Sequence, residues 1–181
     1  MKRRIILVVF ALIISLYFFT KFRMNQSNPE VLRPLISTIE NNIEFRDIDN
    51  VEISTANIAW HLDHMLKTIN TLTESLENSN PSTYESSFNV PRIVSLTGGI
   101  IPRGRAQSPK SVRPPEIILT KDIHTQIVTA IKNIKKLQEL DNNANFDHPI
   151  FGMLDKAQTI RFLEVHTMHH LKIITDILKS E

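Results

Sequence analysis

Two short runs hold five of the seven histidines in this 181-residue chain: Trp60-His61-Leu62-Asp63-His64 and His166-Thr167-Met168-His169-His170. His166 and His170 are four residues apart, which on a helix puts them on one face, about 40° apart around the axis. Phe162, Leu163, Ile173, Ile174 and Ile177 share that sector, so both imidazoles point into an apolar core. On the earlier run His61 falls inside the stripe of Ile58, Met65, Ile69, Leu72 and Leu76, and His64 falls at its edge, as His169 does on the later run. Imidazoles in an apolar core are costly unless their ring nitrogens are satisfied. A divalent cation does that. Three nitrogen ligands leave a coordination position open, the pattern of catalytic rather than closed structural zinc. Imidazole also suits nickel, iron and copper. The competing reading is a set of packed, hydrogen-bonded core histidines. His124 reads as a helix-surface residue, and His148 lies in the Asp147-His148-Pro149 turn. Asp63 reads as an exposed helix acid, or otherwise as a partner that orients a ligand imidazole.

The histidines need helices to hold them. Apolar spacing predicts four amphipathic helices, over about 30–43, 55–77, 121–140 and 156–179, with no convincing strand alternation. Ser54 is the expected N-cap of the second. Asp155, with Gln158 three residues on, has the form of a capping box for the fourth. Residues 79–119 carry six prolines and three of the four glycines and read as a long loop. Its second half holds Arg103, Arg105, Lys110 and Arg113 against the single acid Glu116. It reads as a solvated crossover, or as a rim that attracts an anion. There is no cysteine, which excludes disulfides, thiolate metal sites and a cysteine nucleophile.

Residues 5–20, IILVVFALIISLYFFT, carry no charge. As a helix they span about 24 Å, slightly short of a ~30 Å hydrocarbon core, and snorkelling by Arg4 and Lys21 closes the gap. Bulky residues stand where a signal-peptidase site needs small ones, so the run reads as an uncleaved anchor. The expected organisation is an anchor over 1–23, a polar linker over 24–30, and a helical domain over 31–181. Five of the 21 basic residues lie in 1–23, which leaves 16 against 19 acids in the rest. A mildly acidic domain without a basic helix face excludes nucleic-acid binding as an expectation.

Asn57-Ile58-Ala59-Trp60-His61-Leu62-Asp63-His64 resembles the second-helix motif of the DinB/YfiT-like superfamily. Phe146-Asp147-His148-Pro149-Ile150-Phe151-Gly152-Met153-Leu154, followed by His166-Thr167-Met168-His169-His170, resembles its last-helix motif. Pro102-Arg103-Gly104-Arg105 and Val112-Arg113-Pro114-Pro115 are similar to a subgroup known only as a domain of unknown function. The resemblance covers about residues 30–180. It implies an all-α four-helix bundle, here preceded by one transmembrane anchor helix, with a divalent metal held by His61, His166 and His170. His64 and His169 would then stand behind the ligands or face a substrate. Zinc or nickel is the expected metal, with iron and manganese as alternatives. Relatives of this kind include thiol-dependent transferases, so the resemblance implies activation of a bound water or thiol in a transferase or hydrolase acting on a small molecule. A non-enzymatic metal-binding or structural module is the alternative. On this reading His61→Ala abolishes metal binding and His64→Ala leaves stoichiometry nearly intact. Dimerisation through an exposed helix stripe is compatible with the sequence.

Three basic side chains precede the apolar run and two follow it, so the positive-inside rule puts the N-terminus inside and the domain on the outer, periplasmic or extracellular, face. Protease added to intact spheroplasts should therefore digest residues 24–181, and full protection would reverse the topology.

Overall fold

The structure, a computed structural model, describes residues 2–104 and 107–180. Arg105 of the basic loop and the side chains of Lys2 and Arg4 lie outside that description. Among the described residues the chain is mostly helical, with six α-helices, four single-turn 3-10 helices and one hairpin. In order the α-helices and strands are α1 (Lys2–Met24), α2 (Leu32–Asn41), α3 (Ile58–Glu77), α4 (Val90–Gly98), α5 (Thr120–Glu139), β1 (Asn145–His148), β2 (Gly152–Asp155) and α6 (Lys156–Lys179). α3 packs on α5 and α6, and α2 packs on the same two helices. Their apolar stripes close one core. Leu32, Ile36 and Ile39 of α2 meet Leu62, Met65, Leu66 and Ile69 of α3, Ile123 and Ile134 of α5, and Ile160, Leu163, Ile174 and Ile177 of α6.

The four anticipated helices are all present, but their surroundings differ from expectation. Asn57, not Ser54, caps α3: its side-chain oxygen accepts from the Trp60 amide at 3.0 Å. Asp155 caps α6 by accepting from the Gln158 amide at 2.8 Å, while the buried Gln158 Oε1 makes no return bond, so the box is one-sided. The stretch 79–119 is not all loop, because α4 lies inside it. Asn89 caps this helix, Pro91 sits in its first turn, and Gly99 ends it at φ +67°, a left-handed conformation that glycine adopts without steric cost.

The chain is also not purely helical. β1 and β2 pair antiparallel, Asn145 opposite Asp155 and His148 opposite Gly152. Two strands this short leave little alternation to see. The polar segment after α1 is fastened rather than loose: Met24 is buried, and the Gln26 amide donates to Ala157 O at the start of α6.

α1 continues past the uncharged run at both ends, and its 23 residues extend about 34 Å at 1.5 Å per residue. Residues 5–24 form a helix long and apolar enough to cross a membrane, and of these residues only Met24, at its end, is buried against the protein. Only its C-terminal end meets the folded domain, where it packs against α4.

A core closed by facing stripes is sensitive to deletion at its centre. Ile69→Ala should cost about 2–5 kcal/mol, whereas Val128→Ala, on the exposed face of α5, should stay within about 0.5 kcal/mol. Urea unfolding of the detergent-solubilised chain, followed by circular dichroism, measures both.

Candidate metal centre

α3 carries His61 and His64 one turn apart, and α6 carries His166, His169 and His170. Where the two helices face each other, four of these rings come together. Among the described residues, His64, His166 and His170 offer one ring nitrogen each within 4.8 Å of the other two. His166 Nε2 is central, 3.2 Å from His64 Nε2 and 3.2 Å from His170 Nε2. The expected third ligand, His61, is thus replaced in the group by His64. His61 lies beside it, with Nδ1 3.0 Å from His170 Nδ1 and Nε2 3.0 Å from Ser54 Oγ.

The exchange follows from how α3 is packed. Its neighbours are α5, α6 and the turn at 110–112, so burial extends well beyond one stripe and both His61 and His64 are 3% exposed. A wheel drawn on the apolar residues finds the sector facing the whole core. The sector facing α6 in particular is a matter of how the two helices cross.

Two of the three rings, His64 and His170, are held from behind. His64 Nδ1 donates to Val112 O at 2.8 Å. A carbonyl only accepts, so Nδ1 carries the proton and Nε2 presents a lone pair to the group. A lone pair on His170 Nε2 likewise needs the proton on Nδ1, donated to His61 Nδ1. His61 then donates from Nε2 to Ser54 Oγ, which also accepts from the Ala56 amide. Trp60, the only tryptophan, stacks on His64 with centroids 4.8 Å apart and meets His61 edge-on. His166 Nδ1 is buried and has no partner among the described residues.

Burial keeps these imidazoles neutral. It pushes His64 below its ordinary value and His166 and His170 well below theirs, with neighbouring histidines adding to the effect for the last two. Burial, then His64, lowers His61 to about 4. Neutral imidazole is the form that ligates a metal.

The group opens onto a cavity of about 950 Å³. Phe146, Phe151, Phe162 and Ile173 make much of its wall apolar. His148 lines it too, stacked on Phe151 with centroids 4.6 Å apart. His148 Nδ1 accepts from the amides of Ile150 and Phe151, which leaves the ring proton on Nε2. Burial lowers this histidine to about 4. His169 lies on the cavity wall beside His170 and outside the three-nitrogen group. His124 is exposed, as expected.

Two further expectations change. Asp63 is neither an exposed acid nor a support for an imidazole: it is 2% exposed, pairs with Lys67 at 2.7 Å and accepts from Gln126 Nε2 at 2.6 Å, tying α3 to α5. Arg103 lines the cavity, but its guanidinium pairs with Asp176 of α6, which offsets its pull on an anion. The supports at Val112 O and Ser54 Oγ carry no signal in the sequence, because a backbone carbonyl has none and a loop serine is ordinary.

Residues 59–177 match the family described as "Protein of unknown function (DUF1569)". The chain belongs to this family. No curated protein and no solved structure matches it. In this DUF1569 chain the matched region runs from Ala59 to Ile177, so all five clustered histidines lie inside it and α1 lies outside.

The titrations have a defined sign. Between about pH 4 and the ordinary histidine value of 6.5, His61 and His148 bind a proton in the unfolded chain and not in the folded one, so acidification through that window favours unfolding. In chelator, the melting temperature should fall by roughly 5–10 °C between pH 7.5 and pH 5. Thermal melts at the two pH values measure it, and an unchanged midpoint would contradict the burial of these two rings.

Proposed function

We propose that the chain is a membrane-anchored metalloprotein of DinB-like, four-helix-bundle architecture. His64, His166 and His170 hold one divalent cation, and the cavity beside them admits a small molecule. The observation that carries this reading is the spacing of the three Nε2 atoms. Ligand nitrogens about 2.05 Å from a tetrahedral ion stand about 3.3 Å apart, and the two closest separations here are 3.2 Å. Three ligands leave one position open, on the side of the cavity.

A cation bound there would lower the pKa of a coordinated water or thiol and supply a nucleophile near neutral pH. The chain's own residues have separate tasks. Val112 O and the His61–Ser54 pair orient the ligand rings. Trp60 and the phenylalanines keep water from the group. His148 presents a fixed Nε2 proton to whatever occupies the cavity. His169 stands next to the ligands as a candidate acid or base. An all-imidazole donor set favours zinc or nickel over harder cations. α1, apolar all round and unburied along residues 5–20, supports anchoring, with the domain on the outer face.

The second reading is a metal-binding module without turnover, favoured by the way the group clasps α3, α6 and the 110–112 turn together. Under it, chelation lowers the melting temperature and no ligand exchanges at the metal.

Elemental analysis of the chain purified without an affinity tag or chelator tests the site. We expect about one metal per chain, lost in His64→Ala and His166→Ala and retained, more weakly, in His61→Ala, since partners behind the ligands cost about 10–100-fold in affinity. Loss in His61→Ala with retention in His64→Ala would restore the set expected from the helical wheel. Nickel or copper titrated into the chelated chain should quench Trp60 emission through the stacked His64, and the quenching should vanish in His64→Ala.

A further inference from the structure

Residues 86–100 contain one charged side chain, Arg92, and it is turned inward. Arg92 is 3% exposed, donates to Met153 O at 2.7 Å and also donates to Ser87 O. The outward side of the same segment is apolar: Phe88 is 84% exposed, Val90 54%, Val94 65% and Ile100 66%. Val90 and Val94 are one helical turn apart, so they share a face of α4, with Phe88 before it and Ile100 after it. A soluble surface usually scatters its apolar residues among charges. Here the lone charge is withdrawn at the cost of burying a guanidinium, and a contiguous apolar strip is left outside.

The position of the strip identifies its partner. α4 is the element of the folded domain against which α1 packs, and Arg23, at the end of α1, donates to Thr97 O at the end of α4. α1 exposes Phe18, Phe19 and Phe22 just before that junction. The helix able to cross a membrane therefore ends, at the exposed Lys21 and Arg23, beside the apolar residues of α4.

We infer that α4 is a membrane-surface helix, lying at the bilayer interface with Phe88, Val90, Val94 and Ile100 inserted among lipid headgroups and upper acyl chains. This rests on the anchor reading of α1. An uncharged apolar face with its polar groups turned to the protein suits that depth. It fixes the orientation of the domain on the membrane, and it places the start of the 100–104 segment, which goes on to line the cavity, at the lipid boundary.

The chain has no cysteine, so single ones can be introduced into the full chain without background. Ile14→Cys, Phe88→Cys, Val94→Cys and Val128→Cys variants would be labelled with an environment-sensitive fluorophore and reconstituted into phosphatidylcholine–phosphatidylglycerol vesicles with plain or brominated acyl chains. We expect bromine quenching at 14, 88 and 94, with little at 128 on the exposed face of α5. Quenching at 14 while 88 and 94 behave like 128 would overturn the inference and leave the anchor in place. No quenching at 14 would overturn the anchor and this inference together. Labels at 88 and 94 shielded from both brominated lipid and aqueous iodide would show a protein contact instead, and would overturn it as well.

Discussion

Three imidazole nitrogens facing one another in a desolvated helix interface is the constraint around which this domain is organised. Lone pairs at that spacing repel unless a proton or a cation lies among them; neutral His166 has one ring proton to offer, and burial disfavours a second. The helices must therefore hold the rings in place by other means. α3 and α6 do so with long apolar contacts on either side of the group, Leu62, Met65 and Leu66 against Ile160, Leu163 and Ile174. The histidines are a polar inclusion between these apolar contacts.

What surrounds the inclusion is unevenly distributed along the chain. The 110–112 turn reaches α3 through the Val112 carbonyl, and the stretch before α3 reaches α6 through Ser54 and His61. The hairpin brings His148 to the cavity, and its turn is closed by that same ring accepting two amides. Segments without long regular structure thus orient the site, while the helices supply rigidity. Arg103 fastens the loop before the turn to Asp176, and Asp63 fastens α3 to α5. The charges near the site, the buried Asp63 and the exposed Arg103 alike, are used for positioning.

The end of the domain where α1 meets α4 follows the same economy of charge. Arg92 could have stood on the surface of α4, yet its guanidinium turns inward to the Met153 carbonyl of β2 and the Ser87 carbonyl just before α4. That choice leaves α4 apolar beside α1. It also joins the two regions of interest, since residues 100–104 run from the end of α4 directly into the cavity wall.

Much of this was legible in the residues themselves. Apolar residues at helical spacing predicted α2, α3, α5 and α6, and Asp155 marked the start of α6, because amphipathic periodicity and caps are local properties. The run at 5–20 announced a helix able to cross a membrane. The HxxxH pair on α6 pointed to the site for the same local reason: two residues a turn apart share a face whatever else the chain does. Other features depended on distance. A four-residue strand has no period to read, so β1 and β2 were invisible, and α4 was hidden among prolines and glycines that usually mark loops. The choice between His61 and His64 rests on which sector of α3 turns toward α6, with α5 and the 110–112 turn covering the rest. The residue types and spacing by themselves determined that histidines would be buried on two helices. Only the tertiary structure decided which three meet, because the crossing of two helices is set by packing along their whole length and not by the residues at the crossing point.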